Sequence, residues 1–205
     1  MKAPAFFLSV ALLLLLAPVQ EARADDVDVV VQAGHQGRPA SCAPHHVRAC
    51  NLGAGSGDHR ERDWTPVVAD EAAAALRRAG YRVVRRPADY DGHDTARAAV
   101  FLHFDGSAPP CRSGSSVGFP RTTDVGFVHH WEKRYRLFFP FRFAGENITI
   151  HESHYYGFRK VTAPGKAMLI EFGEITCPAQ ERWLQPRLRR LGDELAIFLI
   201  GELHS

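Results

Sequence analysis

Asp28-Val29-Val30-Val31-Gln32-Ala33, closed by Gly34-His35, is the stretch on which the fold turns. A continuous β-branched run without polar alternation reads as a strand buried on both faces, and such strands belong to parallel sheets. Outward from it, residues 81–86, 99–105 (AVFLHFD) and 167–172 (AMLIEF) read as further strands. Between them the spacing predicts a helix over 64–79. There Trp64, Val67, Val68, Ala72, Ala75, Leu76 and Ala79 share a face, Asp63 is the expected cap, Pro66 falls in the first turn and Gly80 at the C-terminal end. Residues 123–138 carry Phe127, Val128, Trp131, Tyr135 and Phe138 at helical spacing. Residues 178–199 place Trp183, Leu184, Leu188, Leu191, Leu195, Phe198 and Leu199 on one stripe. Strands alternating with helices predict an α/β fold with a mostly parallel central sheet flanked by helices. Residues 34–62 and 106–121 read as loops, a polar stretch with Asp89, Asp91 and Asp94 precedes the 99–105 strand, and the aromatic stretch up to Pro164 carries no clear period.

The 205 residues are 45% hydrophobic, 23% charged and 10% aromatic, which excludes a disordered tail, a collagenous repeat and a disulfide-dense miniprotein. Residues 6–19 form an apolar run too short for the roughly 20 residues that cross a bilayer. Lys2 before it and Ala22-Arg23-Ala24 after it give the pattern of a secretory signal peptide, residues 1–24, leaving a single domain at 25–205. Without Lys2, Glu21 and Arg23 the domain has 23 basic and 22 acidic residues, which speaks against a nucleic-acid partner. No second apolar run reaches membrane length, so no span is expected after cleavage, and the expected location is periplasmic or secreted.

In open α/β sheets, ligands bind outside the carboxyl ends of the strands. His35 lies just past the first strand, His103 near the end of 99–105, Glu171 near the end of 167–172, and Glu61 immediately before the helix that starts at that edge. Two imidazoles and a carboxylate are a ligand set for catalytic zinc, which lowers the pKa of water towards about 7 and polarises a carbonyl. A further carboxylate then accepts the water proton and passes it to the leaving nitrogen. Asp58, His59 and Asp63 compete with Glu61 for the ligand role, and Glu174 is the alternative to Glu171. Taken singly, His35 or His103 reads as a loop hydrogen-bonder and Glu171 as a strand carboxylate paired with an arginine.

Gln32-Ala33-Gly34-His35-Gln36-Gly37, Arg60-Glu61-Arg62-Asp63 opening a helix that ends at Gly80-Tyr81, Val100-Phe101-Leu102-His103-Phe104-Asp105 and Leu169-Ile170-Glu171-Phe172-Gly173 occur in this order. In this the chain resembles the zinc-dependent N-acetylmuramoyl-L-alanine amidases, over essentially the whole of 27–199. The resemblance implies that His35, Glu61 and His103 hold Zn2+, that Glu171 is the catalytic carboxylate, and that the substrate is peptidoglycan or a muramoyl-peptide fragment. Where that family usually reads Pro-Gly-His-Gly-Gly, this chain reads Ala33-Gly34-His35-Gln36-Gly37, and residues 106–164 match the family pattern poorly. No wall-binding repeat is evident, and a protein activator is left open.

Two other readings stand beside this one. A zinc carboxypeptidase acting on cell-wall peptides would use His-x-x-Glu, but the third residue after His35 is Arg38. A non-catalytic envelope-binding protein would have no need of the four site residues. Export makes disulfides expected. Cys42 pairs with Cys50, and Cys111 with Cys177, because the latter two lie eight and six residues beyond His103 and Glu171 and leave the same rim. His151-Glu152-Ser153-His154 has no third ligand at a defined spacing and reads as polar loop. His129 and His130 are expected on a solvent face, Asn147-Ile148-Thr149 fits a glycosylation sequon by chance, and the aromatics at 155–158 fit a groove or a core equally well.

Overall fold

The first buried run forms strand β1 (Val27–Ala33) in a computed structural model that describes residues 27–38 and 51–204. The signal peptide expected at 1–24 and the expected pairing of Cys42 with Cys50 lie outside the described residues. A small hairpin, β2 (Gly55–Ser56) and β3 (His59–Arg60), runs directly into helix α1 (Glu61–Arg78). Strands β4 (Val83–Arg86), β5 (Asp94–Asp105) and β6 (Ser115–Gly118) lead to helix α2 (Val125–Phe138). Strand β7 (Phe143–Glu146), the single turn α3 (Ile150–Ser153), a 3-10 helix at Tyr156–Arg159 and strand β8 (Val161–Thr162) follow. Strand β9 (Ala167–Glu174), helix α4 (Pro178–Leu184) and helix α5 (Leu188–His204) complete the chain. Seven strands make one sheet in the order β4-β1-β5-β9-β6-β7, with β8 beside the start of β5. Its pairings are parallel except β6 against β9.

The period of two along each strand divides the core. Val29, Val31 and Ala33 of β1, Val100, Leu102 and Phe104 of β5, and Met168, Ile170 and Phe172 of β9 pack with α1, α2 and α5 in the larger cluster. The intervening Val30, Ala99, Phe101, Ala167 and Leu169 form a smaller cluster, against which only Tyr155, Phe158 and a few neighbours pack. Continuing the alternation one step places His103 after Phe101 and Glu171 after Leu169 on this thinly covered face, and the β5–β9 register sets the two side by side.

Several elements depart from what the sequence predicts. Asp63 does not cap α1, which begins at Glu61 with Arg60 in the capping position and no side-chain cap. The hairpin explains this: Ala54 C=O accepts from the Glu61 N–H at 2.9 Å and Leu52 C=O from the Arg62 N–H at 3.4 Å, so backbone carbonyls serve donors that a cap would serve. β5 extends back to Asp94, anchored by the bidentate pair of Arg86 with Asp94 (2.6 and 2.9 Å). β6 lies inside the expected 106–121 loop; Ser115 and Ser116 are fully buried, and their hydroxyls donate to Glu171 C=O (2.7 Å) and to the Glu152 carboxylate (2.8 Å). The helix expected over 178–199 is two helices with a 3-10 turn at Gln185–Arg187 between them, because Pro186 lacks the N–H that would continue the ladder.

Candidate metal centre

His35 occupies the turn that closes β1, at φ 58°. Gly34 before it is held from three directions. Its N–H donates to Leu102 C=O at 2.9 Å, its C=O accepts from Thr65 Oγ1 of α1 at 2.6 Å, and a Cβ there would collide with the His103 imidazole. The His35 Nδ1–H donates to Asn51 C=O at 2.7 Å, which turns the Nε2 lone pair towards Glu61 Oε1, 3.5 Å away. Glu61 is buried at the start of α1. Its Oε1 stands 2.7 Å from His103 Nδ1 and accepts from the Phe104 N–H at 3.1 Å, while Oε2 accepts from the Ala54 N–H at 2.9 Å. Gly53, at φ 78°, leaves room for that carboxylate, which any side chain there would strike.

One ligand atom from each of His35, Glu61 and His103 lies within 4.8 Å of the other two, the one such group among the described residues. Two imidazole nitrogens and one carboxylate oxygen are a donor set that zinc accepts while keeping a position open. The Asn51 carbonyl on His35 Nδ1 is the kind of outer bond that fixes the tautomer of a metal-ligating imidazole. His35, His103 and Glu171 line a cavity of about 600 Å³.

Burial pulls the His35 imidazole below its ordinary pKa and outweighs the upward pull of Glu61, which favours the neutral form able to ligate a metal. Burial pushes the Glu61 carboxyl up, but the hydrogen bond and charge of His103, with help from His35 and the Ala54 N–H, hold it below the usual range. Glu171 is the opposite case. Burial, then the charges of Glu61, Asp105 and Glu152, push its carboxyl well above the usual carboxylate range, and its Oε2 is buried with no hydrogen-bond partner. A carboxyl group tuned upward beside a ligand cluster is suited to moving a proton near neutral pH.

The competing residues are engaged elsewhere. His59 pairs with Glu181 and packs on Trp64 at 5.4 Å, Asp58 is exposed in the hairpin turn, and Asp63 is an exposed partner of Arg62 at 3.5 Å. Glu174 Oε1 accepts from Ser107 Oγ (2.7 Å), Thr176 Oγ1 (2.7 Å) and the Cys111 N–H (2.6 Å), and its Oε2 accepts from the Ser113 N–H (2.9 Å) and Oγ (3.1 Å). Cys111 and Cys177 are joined by a disulfide at the same place, Cα–Cα 4.6 Å. His151 and His154 line the cavity without joining a metal-competent group among the described residues. His129 and His130 are exposed on α2, paired with Glu146 (3.0 Å) and Glu202 (2.8 Å), and Asn147 Oδ1 accepts from the Phe119 N–H (2.8 Å).

Sequence reasoning gave no role to Asn51 or Asp105 around the cavity, and it read Glu152 as polar loop. Asn51 acts on His35 through its backbone carbonyl, for which no side-chain signal exists. Glu152 did have one, because Thr149-Ile150-His151-Glu152 is a capping box, and the structure uses it as such.

No family model matches the chain, and no curated protein matches it. Solved structures do. The N-acetylmuramoyl-L-alanine amidase AmiC2 of Nostoc punctiforme superposes with a TM-score of 0.66 at 16% identity, over 87% of this chain and 98% of that one. The catalytic domain of CwlV, an amidase of the same name from Bacillus (Paenibacillus) polymyxa var. colistinus, gives 0.65 at 18% over 87% and 98%. The amidase Ami1 of Mycobacterium smegmatis gives 0.64 at 18% over 87% and 97%. The chain therefore shares the fold of these structures along nearly all of their length.

Proposed function

We propose that this chain is a zinc-dependent N-acetylmuramoyl-L-alanine amidase. It hydrolyses the amide between the lactyl group of N-acetylmuramic acid and the L-alanine of the stem peptide, and acts in the periplasm or as a secreted enzyme. The observation that carries the reading is the convergence of His35, Glu61 and His103 within 4.8 Å, with His35 and His103 lining the cavity that Glu171, its Oε2 buried without a partner, also lines. The shared fold with solved amidases supports it. The disulfide between Cys111 and Cys177 supports an oxidising compartment, and no described helix is long and apolar enough to cross a membrane. The leader at 1–24 is the export signal in this reading.

His35, Glu61 and His103 would hold the ion. When bound, zinc polarises the lactyl carbonyl and makes water a nucleophile near neutral pH. Glu171 takes the proton as the water oxygen bonds to the carbonyl carbon. It returns that proton to the alanine nitrogen as the C–N bond breaks, so the products are a lactyl carboxylic acid and a free amine.

Mass spectrometry of purified peptidoglycan treated with the zinc-loaded protein tests this. The expected products are a sugar with a lactyl carboxylate and a peptide with a new L-alanine amino terminus. Release of a C-terminal D-amino acid would establish a carboxypeptidase instead, and uncut substrate with zinc bound would establish an envelope-binding protein.

A further inference from the structure

The segment from α3 through the 3-10 helix supplies one side of the cavity and brings three basic side chains to it: His151, His154 and Arg159. A fourth, Arg38, is already engaged. Its Nε and Nη2 donate to the Asp89 carboxylate at 2.9 and 3.2 Å, and its Nη1 reaches Asn51 C=O at 3.3 Å. Arg159 has no carboxylate partner among the described residues. The one carboxylate on its own segment, Glu152, is turned to Ser116 Oγ and the Thr149 N–H. The other acidic lining groups, Asp105 and Glu171, come from β5 and β9. The covering segment therefore brings to the cavity a guanidinium with no carboxylate partner among the described residues, while the Glu152 carboxylate of the same segment is committed to Ser116 and Thr149.

That guanidinium stands on a fixed base. Gly157, in the same 3-10 helix, lies so close to Phe101 that a Cβ would come within 2.5 Å of its ring, and Phe158 packs on Phe101 at 5.2 Å. The Lys160 N–H closes the turn on Gly157 C=O at 2.9 Å, and Lys160 Nζ donates to Tyr90 C=O at 3.0 Å. The backbone that carries Arg159 is thus fixed while its side chain is exposed, and its guanidinium offers a planar anion a fork of donors.

We infer that Arg159, on the same cavity wall as His151 and His154, forms a carboxylate-binding subsite that selects substrates by a free carboxylate on their peptide portion. The inference rests on the amidase reading and narrows it. In that substrate the N-acetylated sugar is uncharged and the lactyl carboxyl is consumed in the scissile amide, so the anionic groups are on the peptide. Arginine suits such a ligand better than lysine because its planar fork matches a carboxylate bidentately.

The test uses the full zinc-loaded chain and the peptide that hydrolysis would release, which cannot be turned over. Calorimetry compares the L-alanine-led tripeptide bearing free carboxylates with the same peptide fully amidated. The free form should bind about tenfold tighter to the wild type, since a charge-assisted bond at a partly solvated site has about that size. Arg159→Gln should erase the preference, Arg159→Lys should keep part of it, and zinc content should be unchanged in both. A wild type without preference, an Arg159→Gln variant that retains it, or a protein that binds neither peptide would overturn the subsite. The amidase reading is judged separately by which bond the zinc-loaded wild type cuts.

Discussion

Glu171 and Glu174 stand three residues apart on β9 and have opposite surroundings. Burial and the charges of Glu61, Asp105 and Glu152 raise the Glu171 carboxyl, so the fold favours its neutral form. Its contribution is fully present below the ordinary carboxylate range, near 4.3, and is lost as the pH rises through the higher folded value. Glu171→Gln should therefore make the metal-free protein more stable at pH 7 in urea titration. With zinc retained, it should lower turnover by about 100-fold to 10,000-fold, the usual share of general base catalysis. His35→Ala and His103→Ala should each abolish stoichiometric zinc by metal analysis, and Glu61→Ala nearly so, since two ligands do not make a tight site. Full zinc in the Glu61 variant would move the ligand role to another residue. For Glu174, burial pushes up, but hydrogen bonds from Thr176, Ser107, Ser113 and Cys111 prevail and hold the carboxyl low. Its contribution is present above the ordinary range and disappears as the pH falls through the folded value. Glu174→Gln should weaken the protein at pH 7 and flatten the acid side of its stability profile.

At the scale of elements, the loop at 107–113 is tied to the end of β9 twice, by the Glu174 carboxylate and by the Cys111–Cys177 disulfide. The disulfide spans a sequence separation of 66, for which chain-entropy arithmetic gives about 4 kcal/mol. A Cys111→Ala/Cys177→Ala variant should lose about that much in denaturant unfolding and keep its zinc, because none of the three proposed ligands lies on the tied loop. The elements that place the proposed ligands were legible in the sequence. β1, the end of β5 and β9 are continuous apolar runs, and α1 carries a clear helical face. The hairpin that delivers Glu61 was not, because it is built on backbone carbonyls of Leu52 and Ala54 rather than on a capping side chain. β6 escaped because Ser115 and Ser116 are buried by hydrogen bonding, which leaves no apolar period to read. The wall at 149–159 escaped for a related reason: its turns are short, and its aromatics pack on Phe101 and His103 across the chain.

At the scale of the whole molecule, the sheet is covered unequally. α1, α2 and α5 bury one face in a single large cluster, and the other face, which carries His103 and Glu171, is covered by a short segment around Tyr155, Phe158 and Val161. Sub-global opening follows the least buried area. Amide hydrogens of β8 and the 3-10 helix should therefore exchange well before those of β1 and the centre of β5, which open only with global unfolding. The same inequality separates the residues that keep the chain folded from those that meet a ligand. Substitutions in 149–163 change the shape and charge of the cavity while the larger cluster goes on supplying stability. A laboratory selection for a new substrate would collect its mutations there and leave α1, α5 and the strand face beneath them as they are.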